Sequence, residues 1–574
     1  MALGPQKEQQ GWVARQLRKD YTPYLVFAIP MVFLVIFLFW PLVTTTLRAF
    51  LSPGRELTFG PFSLTNFQRF ATSNLYKGSL KNSFIISFSV VFFTLLIGVP
   101  MGYFVARVKI PFKGLILSLG ILPVILPSFV GAFSWIILLG RQGVVRHYLN
   151  LFLGIFGLEL PSIYGLFGII FTMTVTYYPF IFLLAYGAFE AVNPLLEEAA
   201  MIMGSRRSRI LRTITLPLVI PSLGAGAILV FIRAMGNFGI PAMLGGDQYV
   251  LPTLIYFRVN GFWDLNGAAA ISLVSVAITG GALLLQKFII SKREYETISA
   301  SRSEYELHSH PAIRIIASVY CGIILLVSLA PQITMFIMSF FTRWGRSGPE
   351  GFTLANYARI PTIASRPILN SLFLAITASL LCAALGSLVA YITERRKPRG
   401  ALILDLAIMA PFILPGTVVS VALISAFSGD SWLPLTGTFT IILISYMIRR
   451  TPYVFRSVVA SLSQLDPTLE EASMITGANW LYTFRRVSFP LILPGIISGT
   501  ILTFATLLQE LSTTILLYSA RTRTLPIQIW GAVADGKFGE ASALSTLLIV
   551  MVFVVVYGMN RFLGKSISSS FKVG

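Results

Sequence analysis

Apolar runs of roughly 20 residues recur along the 574-residue chain, and their length limits what it can fold into. A hydrocarbon core about 30 Å thick is crossed by about 20 helical residues. Backbone N–H and C=O groups in lipid must pair internally, so only helices and closed barrels can span it. The runs are continuous rather than alternating, which selects helices over barrel strands. They centre near Phe33, Phe92, Val130, Tyr177, Ile228 and Ala277, then near Leu325, Leu380, Ile413, Tyr446, Leu502 and Met551. The expected fold is all-α: a polytopic membrane helical bundle of about 12 transmembrane helices. Only 12% of the residues are charged, against about 25% in soluble domains, so soluble classes are excluded. The first run, about residues 24 to 47, is long enough to remain a membrane helix rather than a cleaved signal.

The runs form two sets of six that share sequence marks. Glu197-Glu198-Ala199-Ala200-Met201-Ile202-Met203-Gly204 is followed by Ile214-Thr215-Leu216-Pro217. Glu470-Glu471-Ala472-Ser473-Met474-Ile475-Thr476-Gly477 is followed at the same distance by Val487-Ser488-Phe489-Pro490. The offset of 273 also relates Pro179 to Pro452, Pro194 to Pro467 and Pro221 to Pro494. A constant offset marks a duplicated unit. Nearer the N-terminus it is 288, pairing Asn82-Ser83 with Asn370-Ser371, Gly98 with Gly386, Pro123 with Pro411 and Pro127 with Pro415. The first half therefore carries 15 extra residues, assigned to 140–163 around Arg141, Arg146 and His147.

Each duplicated stretch opens with Asn193-Pro194 or Asp466-Pro467, an N-cap followed by proline at the first helical position. Two acids follow where the helix dipole favours negative charge. Gly204 and Gly477 then interrupt the helix, permitting a bend or the close approach of another backbone. Arg206, Arg207, Arg209 and Arg212 come next in copy one, Arg485 and Arg486 in copy two. One such loop would pass for an ordinary basic connection. Two of identical spacing describe a docking surface met by two equivalent partners.

Glu-Ala-Ala, three residues, Gly, nine residues, Ile-x-Leu-Pro resembles the EAA loop of permease subunits of type I ABC importers. Copy one matches in full; copy two has Ser473 for the second Ala, Val487 for Ile and Phe489 for Leu. The resemblance implies a fused permease: a cytoplasmic segment 1–23, a first half 24–290, a cytoplasmic linker 291–311 and a second half 312–574, the six-helix halves related by pseudo-twofold symmetry. It also implies that Glu197, Glu198, Ala199, Ala200, Gly204 and Pro217, with Glu470, Glu471, Ala472, Ser473, Gly477 and Pro490, couple to an ATPase. The implied partners are a homodimeric ATP-binding cassette ATPase, which carries ATP and Mg, an extracytoplasmic solute-binding protein and the lipid bilayer. Leu508-Gln509-Glu510-Leu511-Ser512-Thr513-Thr514 and Asn237-Phe238-Gly239-Ile240-Pro241 look most like ferric iron permeases. The same branch includes permeases for 2-aminoethylphosphonate, thiamine and polyamines.

The net charge of +21 is read as positive-inside bias rather than as affinity for nucleic acid. With the N-terminus inside, the inner segments carry more Lys and Arg, at higher density, than the outer ones. Both EAA loops then fall inside. This predicts a multi-pass protein of the bacterial cytoplasmic (inner) membrane with both termini cytoplasmic. The 140–163 insertion falls outside, available to a delivery protein. No GxxxxGK[ST] loop occurs: Gly558 is one residue too far from Gly564-Lys565-Ser566. The chain is therefore not expected to be an enzyme or to bind a cofactor, and ATP hydrolysis falls to a partner. Cys321 and Cys382 lie in apolar runs and read as small buried hydrophobes. The three His compose neither a catalytic triad nor a metal site. His308 and His310 belong to the polar linker, with Lys292, Arg293, Glu294, Glu296, Glu304 and Glu306.

Arg233, Arg449, Arg450 and Glu510 lie inside apolar runs, where a charge costs at least ~2.5 kcal/mol and must face the bundle interior or water. At about 1.5 Å per residue, Arg449 and Glu510 have similar depths, which fits either a structural ion pair or the lining of a translocation path. The first-half counterparts of Arg449, Arg450 and Glu510 are Thr176, Tyr177 and Asn237. A symmetric scaffold would not need charge on one side only, so these residues are candidates for a path or gate. Arg449 is the stronger arginine candidate, because Arg456 continues its face. Pro179 and Pro452 each remove a helix hydrogen bond at this depth and are candidate hinges. A twelve-helix secondary transporter driven by protons or sodium is the alternative class; it lacks EAA loops and needs an ion site within the bundle.

Overall fold

The computed structural model describes residues 22–52, 61–290, 310–345, 348–398, 400–429 and 431–563. Most of the N-terminal segment, most of the linker including His308, and Gly564-Lys565-Ser566 lie outside the described residues. Nine described helices are long and apolar enough to cross a bilayer, eleven if each of two bent pairs counts as one span. The run near Tyr446 forms a 25-residue helix, Phe439–Ser463. That is roughly 37 Å at 1.5 Å per residue, but Arg449, Arg450 and Arg456 lower its apolarity.

The helices that position the site are, in the first half, α1 (Asn74–Arg107), α2 (Ser128–Leu139), α3 (Val144–Gly154), α4 (Leu166–Ala191), α5 (Pro194–Ile202) and α6 (Leu216–Met235). In the second half they are α7 (Ser365–Tyr391), α8 (Gly416–Phe427), α9 (Phe439–Ser463), α10 (Thr468–Ile475) and α11 (Phe489–Leu508). A two-stranded antiparallel hairpin, β1 (Phe341–Gly345) and β2 (Gly348–Phe352), pairs Phe341 with Phe352.

The two bent pairs stand where the runs near Val130 and Ile413 predict straight spans. The breaks precede α2 and α8, the second bent by 111°. Pro127 and Pro415 are the N-caps of these helices, with ψ of 126° and 146°. Proline cannot donate to the preceding turn and drives the residue before it out of the α region, so the repeated prolines break both halves at the same point. A related effect widens the helices elsewhere. Four π turns, Val35–Phe39, Leu211–Thr215, Ile392–Arg396 and Phe484–Ser488, each end two residues before a proline: Pro41, Pro217, Pro398 and Pro490. A missing donor and a crowded ring favour such a bulge over a strict α turn.

The chain separates into two compact units. The larger comprises Leu42–Ile376, Ile413–Ser445 and Ala505–Gly574; the smaller comprises Met1–Pro41, Thr377–Phe412 and Tyr446–Phe504. In the larger unit α4 is central and contributes to every described core cluster: Met173 and Ile181 to one, Tyr178 and Phe182 to another, Ala185 and Phe189 to a third. Helices in lipid gain little from the hydrophobic effect against one another, so close packing at small residues carries association. A Cβ on Gly98 of α1 would stand 2.9 Å from Ile181 and from the Phe182 nitrogen. In the smaller unit a Cβ on Gly386 of α7 would meet Val454 and the Phe455 nitrogen at 3.0 Å. Gly226 against Ile181 and Leu184 likewise matches Gly499 against Val454 and Ser457. Each of these contacts recurs at the repeat offsets.

The polar ties of the larger unit recur within it as well. Asn82 donates to the Tyr249 carbonyl at 3.1 Å, and Asn370 to the carbonyls of Arg521 and Arg523 at 3.0 and 2.9 Å. Ser83 and Ser371 accept the backbone N–H of Leu251 and Leu525. Between residues 140 and 163 the first half forms α3 and a return turn, with no counterpart among the described residues of the second half.

Candidate functional site

The duplicated loops are two short helices held in the same way. Asn193 caps α5, its side-chain oxygen accepting the Leu195 N–H at 3.0 Å. In copy two Asp466 accepts the Thr468 N–H at 2.9 Å, so α10 starts one residue later than the prolines predict. The Thr468 N–H and the Thr468 side chain, both bonding it, hold the Asp466 carboxyl below its ordinary range. Both helices end on glycine with φ of +82° at Gly204 and +90° at Gly477. The bonds Met203 N–H to Ala199 O, Gly204 N–H to Met201 O and Ser205 N–H to Ala200 O recur at Thr476, Gly477 and Ala478. This is the left-handed C-cap that only glycine adopts readily. A Cβ at either glycine meets nothing of this chain within 4 Å, so within the chain it is the backbone conformation that calls for glycine here.

The paired glutamates do different things. Glu197 is buried: its Oε1 lies 3.3 Å from Arg107 Nη2 and accepts from the Thr215 hydroxyl at 2.7 Å. Glu470 Oε1 lies 3.6 Å from Arg395 Nε and accepts from the Ser488 hydroxyl at 2.7 Å, while its Oε2 accepts from Tyr391 at 3.2 Å. Arg107 and Arg395 stand at offset 288, Thr215 and Ser488 at 273, so one clamp is built twice. It ties each loop helix to the end of one membrane helix and to the π turn that opens another. Sequence reasoning put the glutamates together as docking groups; only Glu198 and Glu471 are exposed. Pro217 and Pro490 sit in the first turns of α6 and α11. Ser473, the departure from Ala200, bonds Thr483 at 3.0 Å; copy one has an apolar residue, Ile210, at the position of Thr483.

What each loop turns outward is largely apolar. Ile202 is 88% exposed, Met203 85% and Ile475 85%. Ala199, Ala472, Arg206, Arg207, Arg209, Arg212, Arg485 and Arg486 are exposed around them. Apolar side chains on a polar loop mark an interaction surface. Ile202 and Ile475 were the residues missed; their offset of 273, between two acids and a glycine, was the available signal.

The candidate path residues are placed less uniformly. Tyr177 and Asn237 come together: the Asn237 amide donates to the Tyr177 hydroxyl at 2.6 Å and to Ser128 at 3.4 Å. Asn237 Oδ1 accepts the Ile240 N–H at 2.9 Å, and Glu510 Oε1 accepts the Thr513 N–H at 3.2 Å. Asn237 and Glu510 therefore share one backbone-capping role at equivalent positions. Glu510 lies beyond α11, which ends at Leu508, and not within a helix as its run predicts. Thr176 donates to the Thr172 carbonyl of its own helix. Arg450 is buried, stacks on the Tyr453 ring at 5.6 Å and donates to its hydroxyl at 3.3 Å. Arg233 is half-buried over the Phe180 ring at 5.7 Å. Phe180 and Tyr453 are repeat equivalents, so each half puts one guanidinium over this ring, from a different helix. Arg449 is half-buried and belongs to the smaller unit, whereas Glu510 belongs to the larger. α4 and α9 run on through Pro179 and Pro452 without interruption.

Two sets of membrane helices, each leading into an identically clamped, outward-turned loop, define a duplicated polytopic transport subunit. The chain belongs to the binding-protein-dependent transport system inner membrane component family, whose sequence profile matches it twice, over residues 98–294 and 383–569. It is thus the membrane permease of a type I ABC importer, a multi-pass inner-membrane protein that works with a separate ATP-hydrolysing subunit and a solute-binding protein. The "Ferric transport system permease protein FbpB" of Actinobacillus pleuropneumoniae is 29% identical over 94% of this chain and 78% of its own length. The "Probable ABC transporter permease protein y4fN" of Sinorhizobium fredii is 26% identical over 92% of this chain and 96% of its own length. The "Putative 2-aminoethylphosphonate transport system permease protein PhnV" of Salmonella typhi is 24% identical over 44% of this chain and 96% of its own length.

Proposed function

We propose that this permease passes ferric iron, received from an extracytoplasmic binding protein, into the cytoplasm, and that α5 and α10 are its two contacts with a homodimeric ATPase that holds ATP and Mg. The cargo assignment rests on the extent of likeness: the ferric-system relative runs through 94% of the chain and so shares the fused arrangement. The phosphonate-system relative spans less than half of it. The coupling role rests on the repeated clamp and the apolar tips. In this reading both termini and both loops face the cytoplasm. Ile202, Met203 and Ile475 enter the partner's surface, flanked by Glu198, Glu471 and the arginines.

ATP binding draws the two ATPase copies together and moves the tips. Glu197 and Glu470, fixed to Arg107 and Arg395, carry that displacement into α1 and α7. Thr215 and Ser488 carry it into α6 and α11, whose first turns hold Pro217 and Pro490. Thr176, Tyr177, Arg233, Asn237 and Glu510 in the larger unit, and Arg449 and Arg450 in the smaller, are the path or gate residues of this reading, with Pro179 and Pro452 as its hinges. Proteoliposomes holding permease, ATPase and binding protein should take up radioactive ferric iron only with ATP. Excess 2-aminoethylphosphonate, thiamine or spermidine should not compete. Uptake of one of these in place of iron would overturn the cargo, and uptake driven by a proton or sodium gradient without ATP would overturn the coupling.

A further inference from the structure

α3, in the insertion unique to the first half, has its polarity reversed relative to an ordinary surface helix. Arg146 turns inward and donates to the carbonyls of Leu160 and Pro161 at 2.9 and 3.0 Å. Asn150 accepts the Leu160 N–H at 2.9 Å. The spacing i, i+3, i+4, i+7 puts Tyr148, Leu151, Phe152 and Ile155 on one stripe, and these are 60%, 59%, 60% and 77% exposed. Polar groups thus fasten the segment while four large apolar side chains face away from the protein.

The position of α3 says what covers that stripe. It begins five residues after α2 ends at Leu139, and the Gly143 N–H bonds the Gly140 carbonyl, so its start is held at the end of a membrane segment. The loop returns into α4, whose other end leads to α5. α3 therefore lies at the membrane boundary at the end of α4 opposite α5. Phe167, on the first turn of α4, is exposed and stacks on Phe171, so the lipid-crossing helix to which the loop returns is itself apolar on its surface at this end. We propose that α3 is an interfacial helix that lies in the outer leaflet with this stripe among the acyl chains. Helices of this kind bury one face about 5–10 Å deep at the headgroup boundary, and a tyrosine at the edge of such a stripe suits that layer. The insertion then anchors the outer end of the first half to lipid and is not a docking arm for the binding protein. This holds whatever the cargo.

The test is site-directed spin labelling in proteoliposomes. Single cysteines replace Tyr148, Leu151, Phe152 and Ile155, with Arg141→Cys and Glu159→Cys as aqueous references; the native Cys321 and Cys382 are buried. Collision with oxygen should exceed collision with a water-soluble nickel chelate severalfold at the four stripe positions and fall below it at the references. Adding the binding protein should change neither. Nickel access at the stripe equal to that at position 141 would overturn the proposal. So would protection of the stripe that appears only with the binding protein, which would make α3 a protein-docking element.

Discussion

Glu197→Gln should loosen the first coupling loop without unfolding the permease. The substitution keeps the shape and the oxygen that accepts from Thr215, but removes the charge facing Arg107, which is 3% exposed. Unpairing one member of a buried ion pair costs about 3–5 kcal/mol. Glu470→Gln should cost less, because Arg395 and Glu470 are 13% and 14% exposed and Tyr391 remains as a donor. Each 1.4 kcal/mol is about tenfold in an equilibrium constant, so where the loss falls on local opening, amide exchange along α5 should accelerate by roughly 10² to a few times 10³. Glu198→Gln, on the exposed neighbour, should leave exchange within about ±0.5 kcal/mol of the parent. A paired Arg107→Met, Glu197→Met variant should recover protection, since matched apolar groups often replace a buried pair at no cost. The readouts are hydrogen–deuterium exchange over 194–204 and the ratio of ATP hydrolysed to cargo moved. Unchanged exchange and unchanged coupling in Glu197→Gln would refute the clamp.

Gly204→Ala and Gly477→Ala should each cost about 1–2 kcal/mol of loop stability, because alanine must hold the left-handed conformation; exchange at Ser205 and Ala478 reads it. Gly98→Val and Gly386→Val should each lower thermal stability by about 1–3 kcal/mol through overpacking, a Cβ already crowding the facing helix; melting in detergent checks that the two halves respond alike. Asp466, whose folded carboxyl titrates below its unfolded value, contributes its cap above the unfolded pKa and loses it as pH falls through the folded one. Acidification should therefore fray α10 at Thr468 but not α5, which is capped by Asn193, and Asp466→Asn should abolish the difference; exchange against pH measures it.

What the sequence made legible was set by the kind of physics each residue expresses. Continuous apolar runs and the repeat offsets depend only on chain order, so helices, halves and loop positions could be read directly. Proline chemistry is also local, and Pro127 and Pro415 carried a break that run length alone concealed. The division of labour between Glu197 and Glu198 was hidden because it is set by which face of α5 meets Arg107, ninety residues away. The asymmetric charges take on a second meaning once placed, for a related reason. Glu510 repeats the backbone cap of Asn237, and Arg450 supplies to Tyr453 what Arg233 supplies to Phe180, so part of the apparent asymmetry is one role filled from different positions. The reversed polarity of α3 depends on carbonyls at Leu160 and Pro161 that no side-chain pattern announces.

The central claim is that two equivalent tips each meet one ATPase copy. A photoactivatable cross-linker attached to Ile202→Cys, to Ile475→Cys or to both, in the assembled complex, tests it most directly. Each single variant should yield one permease joined to one ATPase chain, and the double variant one permease joined to two. Absence of ATPase adducts, or adducts from only one tip, would contradict the account.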